Sequence, residues 1–152
     1  MTLVYPSKNY LYLALVLIPL AAISPSIAQS PHSGVVTPLS SAKLVFDGEP
    51  ACLKVARENG DPDIGPSTFL LEAAPGCAVP AHSHTAEEQF FVVRGNLLTG
   101  MDGMSDQILS PAGFAMMPGK VMHWFTCHSS SPCLMFVTFD RKYDITWAKP
   151  PK

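Results

Sequence analysis

Within seven residues the chain carries two imidazoles and a carboxylate, His82, His84 and Glu88. A third imidazole, His123, follows Pro118-Gly119 at the entry to an apolar run. Three neutral imidazoles and one carboxylate form a mixed nitrogen and oxygen donor set. Such a set suits one divalent transition metal ion, Fe, Mn, Ni, Cu or Zn, with Fe or Mn favoured here. Four protein ligands around an octahedral ion leave two positions open, which a reactive or ligand-binding centre requires. A His-x-His pair alone is often an ordinary surface feature. The matched positions of His123 and Glu88 turn it into a candidate site.

For the four heads to meet, the backbone must be extended around them. Side chains alternate along a strand, so His82 and His84 project to one face. Glu88 shares the parity of Phe90 and Val92, and His123 that of Phe125. The same alternation sends Glu87 outward. His32 and His128 fall in predicted loops and read as solvated. Short apolar runs do recur every eight to twelve residues from Leu44 onward. They cover 51–56, 68–71, 89–94, 97–101, 107–109, 114–117, 123–127 and 134–139. Gly95-Asn96, Asp102-Gly103 and Pro111-Ala112-Gly113 punctuate them. No stretch of this part sustains a helical period over three turns. The pattern predicts an all-β fold, a single small β-barrel. Phe90 and Phe125, with Met116 or Met135, are candidates for an apolar substrate-binding wall beside the ion; filling the core is their commoner role. The aromatic tail 143–147 is expected to pack along the outside of the barrel or reach a partner subunit.

The N-terminus has a different composition. Lys8 is the only charge before Lys43, and residues 10–23 are nearly all apolar. Small residues around Ile27 follow. This order predicts a signal peptide over 1–28, cut after Ala28. The apolar stretch is shorter than the roughly 20 residues that span a bilayer, and Pro19 interrupts it, so no membrane span is expected after processing. Residues 29–43, rich in Ser, Pro and Gly, read as a flexible lead-in, 44–147 as the barrel domain and 148–152 as a tail. Without Lys8, nine basic residues face twelve acidic ones. The basic residues are scattered, which excludes nucleic acid, since that needs a clustered basic face.

Cys52, Cys77, Cys127 and Cys133 all lie in the predicted mature part. An even count in an exported chain points to disulfides and to a periplasmic or secreted location. Three pairings exist. Residues 128–132 read as a hairpin loop, which favours Cys127 with Cys133 and leaves Cys52 with Cys77. Buried free thiols are the alternative.

Gly76, His82, His84, Glu88 and Gly95 match in full the spacing of the first motif of the cupin family, and Pro118 and His123 resemble the second. The second departs in detail. Lys120 stands where a glycine is usual, Gly119 is one place early, Gly113 is one residue closer to Pro118, and Cys127 replaces a frequent asparagine. The resemblance covers roughly residues 67–139. It implies a jelly-roll-like barrel, an ion held by His82, His84, Glu88 and His123, and often a homodimer. Cupins include dioxygenases, lyases, isomerases, sensors and storage proteins, so fold and metal leave the activity open. Gln89 and Phe90 follow the glutamate where some cupin lyases use a tyrosine base, and Tyr143 is the one tyrosine beyond residue 28. The reading that results is an exported mononuclear metal cupin, a dioxygenase-like oxidoreductase on a small molecule. The alternative is a non-catalytic module that binds or senses a small ligand.

Overall fold

The computed structural model describes residues 34–46, 48 and 50–149. The predicted signal peptide, its cleavage point and the apolar stretch lie outside them. Among the described residues no helix is long and apolar enough to cross a membrane.

Eleven strands and one short 3-10 turn make up the chain here: β1 (Val45–Phe46), β2 (Leu53–Gly60), β3 (Ser67–Ala73), β4 (Ala78–Ser83), β5 (Glu88–Arg94), β6 (Leu97–Met101), β7 (Gln107–Leu109), β8 (Phe114–Met117), β9 (His123–Cys127), β10 (Cys133–Phe139) and β11 (Thr146–Trp147). One sheet has the order β1-β2-β3-β10-β5-β8 and the other β11-β4-β9-β6-β7. All pairings are antiparallel.

The fold is all-β, as the turn spacing implies, but the expected closed barrel is instead two facing sheets. Closure would need a hydrogen-bonded ladder between edge strands. Here each sheet ends on strands of two to four residues, and no ladder among the described residues joins one sheet to the other. The inner faces bury Phe90, Leu97, Met117, Met135 and Val137 almost completely. The period-two alternation explains this. Glu88, Phe90 and Val92 point inward from β5, while Phe91 and Val93 stay exposed.

Two irregularities place the histidines. In β4 the register with β9 runs Val79↔Phe125 and then His82↔His123, so one extra residue is inserted. Strict alternation from Val79 would have turned His82 outward. The bulge at Pro80-Ala81 resets the phase, and proline is tolerated there because a bulge needs no ladder donor. The second irregularity follows β8. A Cβ on Gly119 would lie 2.6 Å from the Thr85 carbonyl oxygen, so a glycine is needed there. Lys120 then takes the left-handed conformation, φ 68°, and its N–H donates to the His84 carbonyl at 2.6 Å. The displaced glycine of the second motif is thus a close approach of backbones beside the site.

Both disulfides form, Cys52–Cys77 and Cys127–Cys133. The first ties the start of β2 to the entry of β4. The second closes the loop between β9 and β10, and Gly95 packs against it, since a Cβ there would meet Cys133 Sγ at 2.8 Å.

The left-handed conformation of a lysine costs about 1–2 kcal/mol, partly offset in a glycine variant by the greater freedom of its unfolded chain. Lys120→Gly is therefore expected to raise stability by about 0.5–1 kcal/mol, read as a higher urea midpoint at unchanged slope. A lower midpoint would show that the lysine side chain contributes more than its backbone costs.

Candidate metal centre

His82 ends the bulged part of β4, His84 sits just beyond that strand, Glu88 opens β5 and His123 opens β9. All four are buried, each under 6% exposed. Each offers one ligand atom, and these atoms lie within 4.8 Å of one another. Donors on opposite sides of one ion, at about 2.1 Å each, stand ~4.2 Å apart. The four heads are therefore close to ligating distance before any adjustment.

Backbone carbonyls aim the imidazoles. His82 Nδ1 lies 2.7 Å from the Pro80 oxygen and His123 Nδ1 lies 3.0 Å from the Val121 oxygen. His84 Nδ1 bonds the Asp144 carbonyl. A carbonyl only accepts, so each Nδ1 carries a proton, and in the neutral ring Nε2 then presents the lone pair. The same outer bonding orients metal-ligating histidines generally. The rings crowd together as a result, with His82 and His123 centroids 4.3 Å apart.

Opposite these lone pairs stands Glu88. Its Oε2 is 2.8 Å from His123 Nε2 and 3.2 Å from His84 Nε2. Neither Oε2 nor His123 Nε2 completes an aligned hydrogen bond. Acceptors facing one another in a buried pocket repel unless positive charge lies between them. A metal cation meets that need, so the residues fit a divalent ion in both donor type and electrostatics.

Without a metal, protons are the compensating charge. Burial pushes Glu88 up, yet the close approach of His123 and His84 outweighs this and holds it at about 2. Burial pushes His84 down, but Glu88 and the Asp144 carbonyl raise it above its ordinary value. His82 lacks so close a carboxylate, and burial drives it down to about 4.

Behind the ligands opens a cavity of about 290 Å³. His82, His84 and Glu88 lie in its wall with Phe125. Phe90 does not line it. That ring sits behind Phe125, with centroids 6.3 Å apart, inside the core. Met135 is fully buried elsewhere in the core, and Met116 is half-exposed beside a separate cavity. The tail corrects a further expectation. It runs neither along the outside nor away from the domain: Tyr143, Ile145 and Trp147 line the cavity. β11 pairs with β4, Trp147 opposite His82, and the Trp147 and His82 rings are 5.0 Å apart. Tyr143 lies over His84 at 5.2 Å. Asp144 pins this strap from outside, accepting from Thr85 N at 2.7 Å and Thr85 Oγ1 at 2.6 Å. The alternation Tyr-Asp-Ile-Thr-Trp is the sequence signal that marks one inward face on the strap.

Residues 69–139 match the family model described as Cupin domain. They belong to the cupin family. Solved structures agree on the fold. The polyketide cyclase RemF from Streptomyces resistomycificus is 16% identical with a TM-score of 0.68, over 79% of this chain and 89% of that one. An RmlC-like cupin from Shewanella frigidimarina is 17% identical with a TM-score of 0.59, over 71% and 91%. A structure described as DMSP lyases RdDddP and RnDddQII is 20% identical with a TM-score of 0.56, over 64% of this chain; the chain spans 53% of that lyase's length. No curated protein sequence matches. At these identities the likeness establishes the cupin fold and leaves the chemistry to the site itself.

Replacing a ligand should abolish metal binding. His82→Ala and Glu88→Ala are expected to fall from one tightly held ion per chain to none, while far-UV circular dichroism keeps its β signature. A full equivalent retained by both variants would contradict the ligand assignment.

Acid should act through His82. Its pKa is lower folded than unfolded, so the unfolded chain takes the proton first, and stability falls as pH drops from 6.5 toward 4. His84, raised on folding, contributes in the opposite sense: its share is complete below 6.5 and is lost as pH rises through its folded value. Glu88 keeps its share until pH falls below 4.5 toward about 2. In chelator-treated protein, urea midpoints at pH 7 and pH 4.5 should differ less for His82→Gln than for the parent. An equal or larger difference would remove His82 as the acid-sensitive group.

Proposed function

We propose that this cupin holds one divalent transition metal ion, iron or manganese by preference, on His82, His84, Glu88 and His123, and uses it on a small molecule bound in the adjoining cavity. The observation that carries this reading is the buried standoff between Glu88 Oε2 and the Nε2 lone pairs of His84 and His123. A bound cation relieves it, and in the cation's absence a proton must. When bound, the ion supplies Lewis acidity and, if redox-active, a route to oxygen activation.

The chain's own residues do the rest. Three imidazoles and one carboxylate leave a divalent ion with one net positive charge. The carbonyls of Pro80, Val121 and Asp144 hold the imidazoles in the ligating tautomer. The apolar wall excludes water and strengthens the field at the bound head. Apart from the ligands, Tyr143 is the one hydroxyl-bearing side chain among those lining the cavity. This scarcity of side-chain acids and bases favours chemistry at the ion, and a dioxygenase-like oxidoreductase is the activity it supports best. The same scarcity supports a second reading, capture of a ligand without turnover.

Two intramolecular disulfides fit an oxidising compartment. With the N-terminal pattern of the sequence, they support export to the periplasm or beyond.

Oxygen uptake by the Fe(II)-loaded protein across a panel of aromatic and organic acids separates the two readings. Uptake stoichiometric with a consumed acid is the expected result. Saturable binding with no uptake for any member would leave ligand capture and remove the oxidoreductase.

A further inference from the structure

The cavity beside the ligands has a one-sided chemistry. Five aromatic side chains wall it, Phe69, Phe125, Phe139, Tyr143 and Trp147, and the remaining wall is aliphatic or proline apart from the metal ligands. Among the described residues lining it there is no lysine, arginine, amide, serine or threonine. Phe69, Phe139 and Tyr143 pack on one another at 5.0–6.5 Å between centroids, so this part of the wall is preformed.

Two consequences concern the occupant. Apart from the Tyr143 hydroxyl and the Trp147 indole N–H, a charged head entering here can be met by the ion alone, because the rest of the wall would leave it unpaired. The charge balance is set as well. A divalent ion with Glu88 retains one positive charge, which a monoanion cancels. A dianion would leave one negative charge in an apolar enclosure with no cation to receive it. Size narrows the class further. A cavity of roughly 150 Å³ accepts benzene, so about 290 Å³ accommodates one ring together with a compact head.

We propose, on the basis of the metal reading above, that the cavity selects a single-ring aromatic acid bearing one monoanionic, oxygen-chelating head, and that Trp147 and Tyr143 of the C-terminal strap determine this specificity by contacting the ring. The head lies on the ion and the ring lies among the strap aromatics. Trp147 and Tyr143 already flank two ligand imidazoles at 5.0 and 5.2 Å, so a ring attached to a bound head meets them without a long spacer. The strap is held from outside by Asp144 on Thr85 and by the Ala148 N–H donating to the Ala81 carbonyl at 2.9 Å. Its inward residues can therefore be changed without cutting those ties.

Three probes test this with Co(II)-loaded protein: mandelate, glycolate and oxalate. Mandelate and glycolate share one hydroxy-acid head and differ in the ring, and oxalate is a dianion without a ring. The visible Co(II) spectrum reports occupation of the ion, and calorimetry gives the affinity. Burial of the phenyl ring should favour mandelate over glycolate by on the order of ten- to a hundred-fold, with oxalate weaker than mandelate. Trp147→Leu and Tyr143→Leu should each narrow the mandelate-to-glycolate ratio at least about three-fold, and Tyr143→Phe should keep it. The ratio is read within one preparation, so a partly misfolded variant cannot imitate the effect. Failure to bind one Co(II) per chain would overturn both the metal reading and this proposal. Full Co(II) binding with glycolate or oxalate equal to mandelate, or with ratios unmoved in both leucine variants, would overturn the specificity proposal and leave the metal reading intact.

Discussion

A buried carboxylate facing imidazole lone pairs is the constraint on which the rest of this structure turns. Glu88 is 5% exposed, and its Oε2 points at His84 and His123. In an apolar setting such an arrangement is costly unless a positive charge joins it. The carbonyls of Pro80, Val121 and Asp144 prevent the imidazoles from escaping by exchanging tautomers. The fold thus holds four buried donors in an arrangement that fits a divalent cation.

Each element near the site can be understood from that requirement. The bulge in β4 turns His82 inward, and β5 and β9 bring Glu88 and His123 from opposite sheets. Gly119 lets the segment after β8 approach Thr85, and Lys120 adopts its left-handed conformation to bond the His84 carbonyl. The strap returns from the end of β10 to deliver the Asp144 carbonyl to His84 and two aromatic rings to the cavity. The Cys52–Cys77 disulfide adjoins Leu53 of the cavity wall, whereas Cys127–Cys133 closes the β9–β10 loop at the end of β9 away from His123. Ligand orientation and cavity wall therefore share one covalent segment, so a change in the strap bears on both.

Much of the site was legible in the chain. His82, His84, Glu88 and His123 meet as their spacing and the cupin resemblance imply, and strand boundaries from β5 to β9 fall where the turn residues put them. The inward phase of His82 was reached by simple alternation, yet its real cause is a bulge, which no local pattern announces. The barrel was an overstatement, because ladder closure depends on edge-strand length and tilt, both tertiary properties. Phe90 carried the right parity for a wall residue but the wrong depth, since alternation gives a face and never a distance from the cavity. The strap was missed for a related reason. Five residues of alternating character at the chain's end do not reveal which surface they cover, and β11 exists only because β4 offers it an edge.

X-ray absorption on protein carrying one equivalent of Co(II) tests the central claim most directly. The account predicts three imidazole nitrogens and carboxylate oxygen in the coordination shell at about 2.1 Å, with the multiple-scattering signature of the rings. Fewer than three imidazoles, or a sulfur ligand, would contradict it.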